Sequence, residues 1–586
     1  MVEEVRDILI LMRLWKNPLI QKIFWVALVL AIFLLCHRWF FHSGDWRTHD
    51  GVHFIRLYDL DIILHQGQFP PRWAPHLGKG YGYPLFNFYP PLAYFVGEFF
   101  HLLGFSITMS NKLSFVMAGL AGTTGMFFLV KHFLHYRAAV FASFLWLLLP
   151  YRAVDLYVRG SLAEYWGMNI LPFLFYFLFI FLKKRTWRHF FWLVLSWFLL
   201  LITHNITALL ASILIVFCFL VYFFFAKSKK LIPYLWQIIA VGIMAVSLAA
   251  FFVIPALLEQ KFVTIGGMRD NYFFFQNHFP SIRQLLFSSF WGYGGSNFFT
   301  VDGMAFQIGY LQWIIPLLAF IWLIYRFYKN RQWQLKEKWF FLFFLFFLGF
   351  LFLNHQRSIF FWKLFPFLSL IQFPWRLLIF SSFFASLVGG YFYYRLAIKW
   401  PRMKEVFLIL GLVLLMLLNY RYFKPRQIEP IGDEEFLNGE LWDYLRREFM
   451  DDYLPKTVLQ KPEDYYSPPL IHGDIEGEVK ILTDKADYLN LTVNSDKKQK
   501  FVLKRFYFPG WQTELNQKEL PIETNENGFM VLEAPAGYNN IIIEFKNTLV
   551  RRLANGLSLL SWVFIIVLFF SRKTRAKLTF LNFEEK

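Results

Sequence analysis

Long apolar runs alternate along the chain with short polar loops, and every second loop is rich in cations. A bilayer core needs about 20 apolar residues per helical crossing. Candidate runs lie at 18–41, 110–130, 137–150, 167–183, 189–203, 206–226, 232–257, 306–326, 338–354, 375–395, 404–420 and 552–571. The basic clusters are Arg6, Arg13 and Lys16; Lys131 and Arg137; Lys183, Lys184, Arg185 and Arg188; and Lys227, Lys229 and Lys230. Further on come Arg326, Lys329 and Arg331; Arg395, Lys399, Arg402 and Lys404; and Arg572, Lys573, Arg575 and Lys577. All seven fall on one side if both termini are cytoplasmic, which predicts about 12 transmembrane helices. The apolar piece "PPLAYFVGEFFHLLG" (90–104) would break this alternation if it crossed, so it is predicted to be an outer juxtamembrane helix. The first outer loop, 42–110, then holds two helices, the first over roughly 51–66 with Asp50 as its N-cap.

From Glu476 the period changes from helical to two. The runs "EVKIL", "LNLTVN", "KFVLKRFYF", "FMVLEA" and "NIIIEF" alternate apolar and polar positions, with "FPGW" and "PAGYNN" as turns. The expected fold is a polytopic α-helical membrane protein with a C-terminal extracytoplasmic β-sandwich-like domain before its last helix. The parts are a transmembrane domain over 1–420, an outer linker and β domain over 421–550, and a last helix with a cytoplasmic tail over 551–586.

Composition agrees. Hydrophobic residues make up 57% of the chain, too many for an ordinary soluble domain. The net charge of +19 invites a nucleic-acid reading. Segment 421–550, however, carries 16 Lys/Arg against 23 Asp/Glu, so the excess cations lie on the loops between spans. That distribution orients a membrane protein and excludes a nucleic-acid footprint. The two cysteines, Cys36 and Cys218, sit inside apolar runs and exclude a disulfide framework or a thiolate zinc site.

On this topology ten acids of the membrane part face outward: Asp45, Asp50, Asp59, Asp61, Glu98, Asp155, Glu164, Glu259, Asp270 and Asp302. Two groups have cations beside them. In "GDWRTHDGVHFIRLYDLDIIL" (44–64), His49, His53 and Arg56 share a helical face next to Asp50, opposite the apolar Phe54, Leu57, Leu60 and Leu64. A carboxylate between imidazoles can act as a general base or hold a divalent metal; the competing reading is an interfacial amphipathic helix. In "LPYRAVDLYVRGSLAEYWG" (149–167), Asp155, Arg159 and Glu164 sit at membrane depth, where unpaired charge is expensive. They either serve function or knit helices. His204 of "THN" and Arg376 of "QFPWR" are further candidates, Arg376 for a lipid phosphate. "LGKGYGYP" (77–84) lacks Walker spacing and a preceding strand, so it is a turn and not a nucleotide site.

The stretches "HDGVHFIR", "FPPRWAPHLGKGYGYPLFNFYPPLAY", "DLYVRGSLAEYW", "THNITALL" and "FPWR" resemble the bacterial membrane proteins called 6-pyruvoyl-tetrahydropterin synthase-related, over roughly 40–400. Nothing in them resembles a soluble pterin synthase. The architecture is similar to that of GT-C glycosyltransferases, which transfer sugar from a polyprenyl phosphate on the outer face. The resemblance implies a polyprenyl-phosphate-linked sugar as donor and a glycan, lipid or protein acceptor, in the bacterial plasma membrane. Asp50 matches the first-loop acid and Asp155 or Glu164 the second. "THD" stands where the pattern has paired acids. Asp50 would take the acceptor proton, and His49, His53, Arg159 or Arg376 would offset charge on the departing phosphate. Direct displacement would invert the anomeric centre. A divalent metal ion is the one cofactor implied, with Asp50 and Glu164 as ligands. Two other readings are a flippase for lipid-linked glycans and a non-catalytic envelope-assembly protein; no internal repeat supports the former.

Overall fold

A computed structural model describes residues 17–226, 231–265, 271–296, 301–447, 452–468, 470–472 and 476–571. The basic clusters at Arg6, Arg13 and Lys16, at Lys227, Lys229 and Lys230, and at Arg572, Lys573, Arg575 and Lys577, together with Asp270, lie outside the described residues.

The helices, short turns and the segment Gly439–Arg447 aside, are α1 (Pro18–Cys36), α2 (His53–His65), α3 (Leu92–Leu102), α4 (Ile107–Phe133), α5 (Tyr136–Leu147), α6 (Leu162–Lys184), α7 (Trp187–Leu201) and α8 (Asn205–Ala226). After them come α9 (Leu231–Leu248), α10 (Ala250–Leu258), α11 (Tyr310–Asn330), α12 (Leu335–Leu353), α13 (Leu378–Lys399), α14 (Lys404–Asn419) and α15 (Leu549–Phe570). Their starts follow local chemistry. Asn17 caps α1 by accepting from Leu19 N, Ser106 caps α4 from Met109 N, and Thr548 caps α15 from Arg551 N.

Among the described residues, eight helices are long and apolar enough to cross a membrane, or up to eleven if each bent pair is one span. The bends fall within Tyr136–Arg159 (45°), Tyr234–Leu258 (79°) and Leu335–Leu364 (97°). The run expected at 189–203 corresponds to α7, whose 15 residues are short for a crossing. The 90–104 piece forms the 11-residue α3, likewise too short. Helix α6 and the stretch Pro374–Lys399 are 83% and 89% buried, against 22% for α1, so they form the centre of the bundle. Small residues let α4 close on α6: a Cβ on Gly122 would sit 1.9 Å from Asn169 Oδ1.

Among the described residues the C-terminal β region has nine strands: β1 (Ile471–His472), β2 (Glu478–Asp484), β3 (Tyr488–Ser495), β4 (Gln499–Phe506), β5 (Trp511–Leu515), β6 (Lys518–Leu520), β7 (Glu523–Thr524), β8 (Phe529–Ala534) and β9 (Gly537–Phe545). They form two antiparallel sheets, ordered β1-β4-β8-β7 and β2-β3-β9-β5-β6. All five predicted runs are strands. The predicted turn "PAGYNN" is shorter than expected: Gly537 turns the chain at φ +102°, and Tyr538 onward already pairs with β3.

This β region is seated on the first loop. Trp73 packs edge-on against Trp511 and against Phe545, Phe506 N donates to Tyr81 O, and Ala486 N donates to Gln66 Oε1 at 2.7 Å. The glycine-rich turn 77–84 is the seat. Gly78, Lys79, Gly80 and Gly82 all have positive φ, and a Cβ on Gly82 would strike the Trp73 indole at 2.6 Å. Behind it, buried Glu259 accepts from Asn87 Nδ2 (2.8 Å), Thr548 Oγ1 (2.6 Å) and Arg551 Nε (2.9 Å). This carboxylate joins the first loop to the end of α10 and the start of α15.

Candidate active site

The 45° bend after α5 is where the site is made. A short helix, Pro150–Val154, runs into a single π-helical turn, Asp155–Arg159, which ends on Gly160 at φ +63°. The wider π turn brings Asp155 and Arg159 together, and Gly160 releases the chain into α6, whose first turn carries Glu164. This turn grips the first loop: His49 N donates to Val158 O and Asp50 N to Arg159 O (2.8 Å). A Cβ on Gly160 would lie 2.2 Å from Thr48 Oγ1, so only glycine allows that approach.

These bonds correct the expected cap. Helix α2 begins at His53, with Val52 in the cap position and no side-chain cap. Backbone bonds to 158–159 fix residues 49 and 50 in a turn before it, so Asp50 caps nothing. His49 is therefore not on the helical face with His53 and Arg56; its Nε2 donates to Tyr293 O at 3.2 Å. The apolar face of α2 meets protein: Phe54 stacks on Phe436 at 4.6 Å, and Leu57 packs on Gly97.

His53 is a prop. Its Nε2 donates to Gly160 O, its Nδ1 accepts from Tyr94 OH at 3.0 Å, and Arg56 Nη1 donates to Tyr94 OH. Burial, with help from the Arg56 cation, pushes its pKa down to about 4. It is neutral at pH 7 and supplies no positive charge to a ligand. His49 is held below its ordinary value, chiefly by burial.

The carboxylates of the second group are spoken for. Arg159 donates to Asp155 (2.6 Å) and Glu164 (2.8 Å) and lies over the Trp375 ring at 4.7 Å. Glu164 also accepts from Tyr151 OH at 2.6 Å and faces Arg376 Nε at 3.1 Å. Arg376 Nη1 donates to Ile371 O and Gln372 Oε1, whereas its Nη2 bonds nothing among the described residues. The Asp50 carboxylate is half-buried and has no hydrogen bond or ion pair among the described residues.

A cavity of about 920 Å³ joins these groups. His49, Asp50, Arg56, Arg159, Glu164, His204 and Arg376 line it; His53 and Asp155 do not. Its other side is apolar, with Leu209, Phe252, Val253, Ala256 and Leu257. Sequence reasoning missed Tyr89, Tyr272, Gln372, Trp375 and Tyr453, which also face it. Gln372 and Trp375, in "QFPWR", and Tyr89, in "FPPRWAPHLGKGYGYPLFNFYPPLAY", were within reach of it.

Asp50 and Glu164 do not fit a metal site, because Tyr151, Arg159 and Arg376 already engage both Glu164 oxygens and a metal cation there would meet two guanidiniums. The described residues do hold a group able to bind a divalent ion elsewhere, Asp61, His65 and Glu98.

Two crystal structures of the Archaeoglobus fulgidus oligosaccharyltransferase, one in the apo form and one in complex with Zn and sulfate, align with the chain at 12% identity. Their TM-scores are 0.39 and 0.32 over 76% and 75% of this chain, which spans 62% and 59% of theirs. No curated protein matches the chain. The family model described as "6-pyruvoyl-tetrahydropterin synthase related domain; membrane protein" matches residues 86–425, more than half of the chain. The protein is therefore a member of the 6-pyruvoyl-tetrahydropterin synthase-related family of membrane proteins.

Proposed function

We propose that the protein is an inverting membrane glycosyltransferase that moves a sugar from a polyprenyl-phosphate donor to an envelope acceptor on the outer face of a bacterial plasma membrane. The observation that carries this reading is the contrast between carboxylates in one cavity. Glu164 is engaged by arginines, and Asp50 faces the same space with its oxygens unengaged. A base has to be free to take a proton, so the role falls to Asp50.

In the proposed reaction an acceptor hydroxyl gives its proton to Asp50, and its oxygen bonds to the anomeric carbon. The bond from that carbon to the phosphate oxygen breaks, and the electron pair leaves on the phosphate. Arg376 is the group to meet that charge, through its open Nη2. Arg159 is a positioning residue: its four partners hold Glu164 and the π turn in place. His49 and His204 border the same space. The apolar wall from Leu209 to Leu257 suits an isoprenoid chain entering from lipid. Residues 421–550, seated over the first loop, would hold the acceptor. Both termini would be cytoplasmic.

The test is to incubate purified protein with a panel of polyprenyl-phosphate sugars and follow release of polyprenyl phosphate. Release with at least one donor, lost in Asp50→Asn, is the expected result. Donor movement across a vesicle bilayer without release would replace the proposal with a flippase.

A further inference from the structure

A second cluster of donors stands at the other end of α2, outside the cavity. Asp61 and His65 are one turn apart on α2, and Glu98 and His101 lie three residues apart on α3, so each helix presents one pair on one face. Gly97 brings the two faces together: a Cβ there would lie 3.0 Å from Leu57 Cδ2, one turn before Asp61. One donor atom each from Asp61, His65 and Glu98 falls within 4.8 Å of the others, and His101 Nε2 is 3.8 Å from Asp61 Oδ1.

The burial of this group differs from that of a solvated acidic patch. Glu98 is only 4% exposed, and its Oε2 is buried without a hydrogen bond. It points toward a second carboxylate, a costly arrangement unless a proton or a cation lies between them. Asp61 is met by two imidazoles, His65 at 2.9 Å and 63% open to solvent, and His101 at 3.8 Å. Two carboxylates and two imidazoles form a mixed O/N donor set, suited to zinc and its neighbours and less to calcium or magnesium.

We propose that Asp61, His65 and Glu98, with His101 in reach as a fourth ligand, form a structural site for a zinc-type divalent cation that staples α2 to α3. No chemistry passes through it. The staple fixes the far end of the helix whose near end follows Asp50, so it positions the first loop. The site is independent of the glycosyltransferase reading and stands or falls separately.

The test uses the full chain, purified in detergent, stripped with chelator and dialysed. Addition of Co²⁺ alone should give visible d–d bands that saturate at one equivalent and are displaced by Zn²⁺, and Zn²⁺ should raise the Tm. His65→Ala changes an exposed side chain, so folding should survive while the bands are lost and the Tm stops responding. Glu98→Gln should behave the same way. Asp50→Asn should keep the bands, because it lies at the other site. Absence of Co²⁺ bands in the wild type, or bands unaltered in both His65→Ala and Glu98→Gln, would overturn the proposal. So would loss of the bands in Asp50→Asn with their retention in His65→Ala.

Discussion

Replacing Asp50 by Asn separates chemistry from architecture. The carboxylate makes no hydrogen bond or ion pair among the described residues, and the bond that anchors residue 50 is its backbone N–H to Arg159 O, which the amide keeps. The cost to folding should thus stay within about 0.5 kcal/mol, as for a substitution away from any packed or paired feature. Loss of a general base lowers turnover by about 100- to 10,000-fold, or ~2.7–5.5 kcal/mol of barrier at ~1.36 kcal/mol per decade. Glu164→Gln is the counter-case. It weakens the bonds from Tyr151 and Arg159, removes the ion pair with Arg376, and leaves Arg159 with Asp155 as its one carboxylate partner. Breaking such a buried pair costs ~3–5 kcal/mol. Both variants are assayed for polyprenyl-phosphate release and for Tm in the same detergent. The expected pattern is a stable, inactive Asp50→Asn and an unstable Glu164→Gln. Asp59→Asn is no neutral control, since buried Asp59 accepts from His76 Nδ1 at 2.6 Å and from His76 N. Exposed Asp496→Asn serves instead. Normal turnover by Asp50→Asn would refute the assignment of the base.

Other expectations follow from the same contacts. Arg376→Gln removes the open Nη2 donor and should lower turnover by ~100- to 1,000-fold, read as release rate at saturating donor. Gly160→Ala would push a methyl into Thr48 and force alanine to φ +63°; the prediction is loss of activity together with a lower Tm, and an unchanged Tm would contradict it. Glu259→Ala should cost ~3–5 kcal/mol by stranding buried Arg551, measured as a drop in Tm and faster proteolysis. Cysteines placed at Lys184 and Asn525 should react with a membrane-impermeant thiol reagent in intact cells only at 525; reaction at 184 would overturn the topology.

The membrane class, most helices and five strands were legible because hydropathy and the alternation of period two are local signals. The start of α2 was not. Asp50 looks like a cap from its neighbours, yet bonds to residues 158 and 159, more than 100 positions away, hold it in a turn. Sequence put Asp50, Arg159, Glu164, His204 and Arg376 on one list, and they do line one space. It could not tell the free acid from the engaged one, because that difference is made by Tyr151 and by the π turn. The Asp61–Glu98 pairing was hidden for the same reason: it depends on two helices meeting at Gly97.

The seating of the β region on the turn at 77–84 also has a consequence for how the protein is made. Gln66 and Ala486 are bonded across 420 residues of chain. At ~5–20 residues per second of synthesis, the first loop emerges roughly 20–80 s before the strands that cover Trp73. For that interval the nascent chain holds out an apolar indole and a set of left-handed turn residues with no partner. Assembly of the first loop is thus a late event in biogenesis, and truncated chains ending before residue 545 should be recognised by quality-control proteases even though nearly all their spans are inserted.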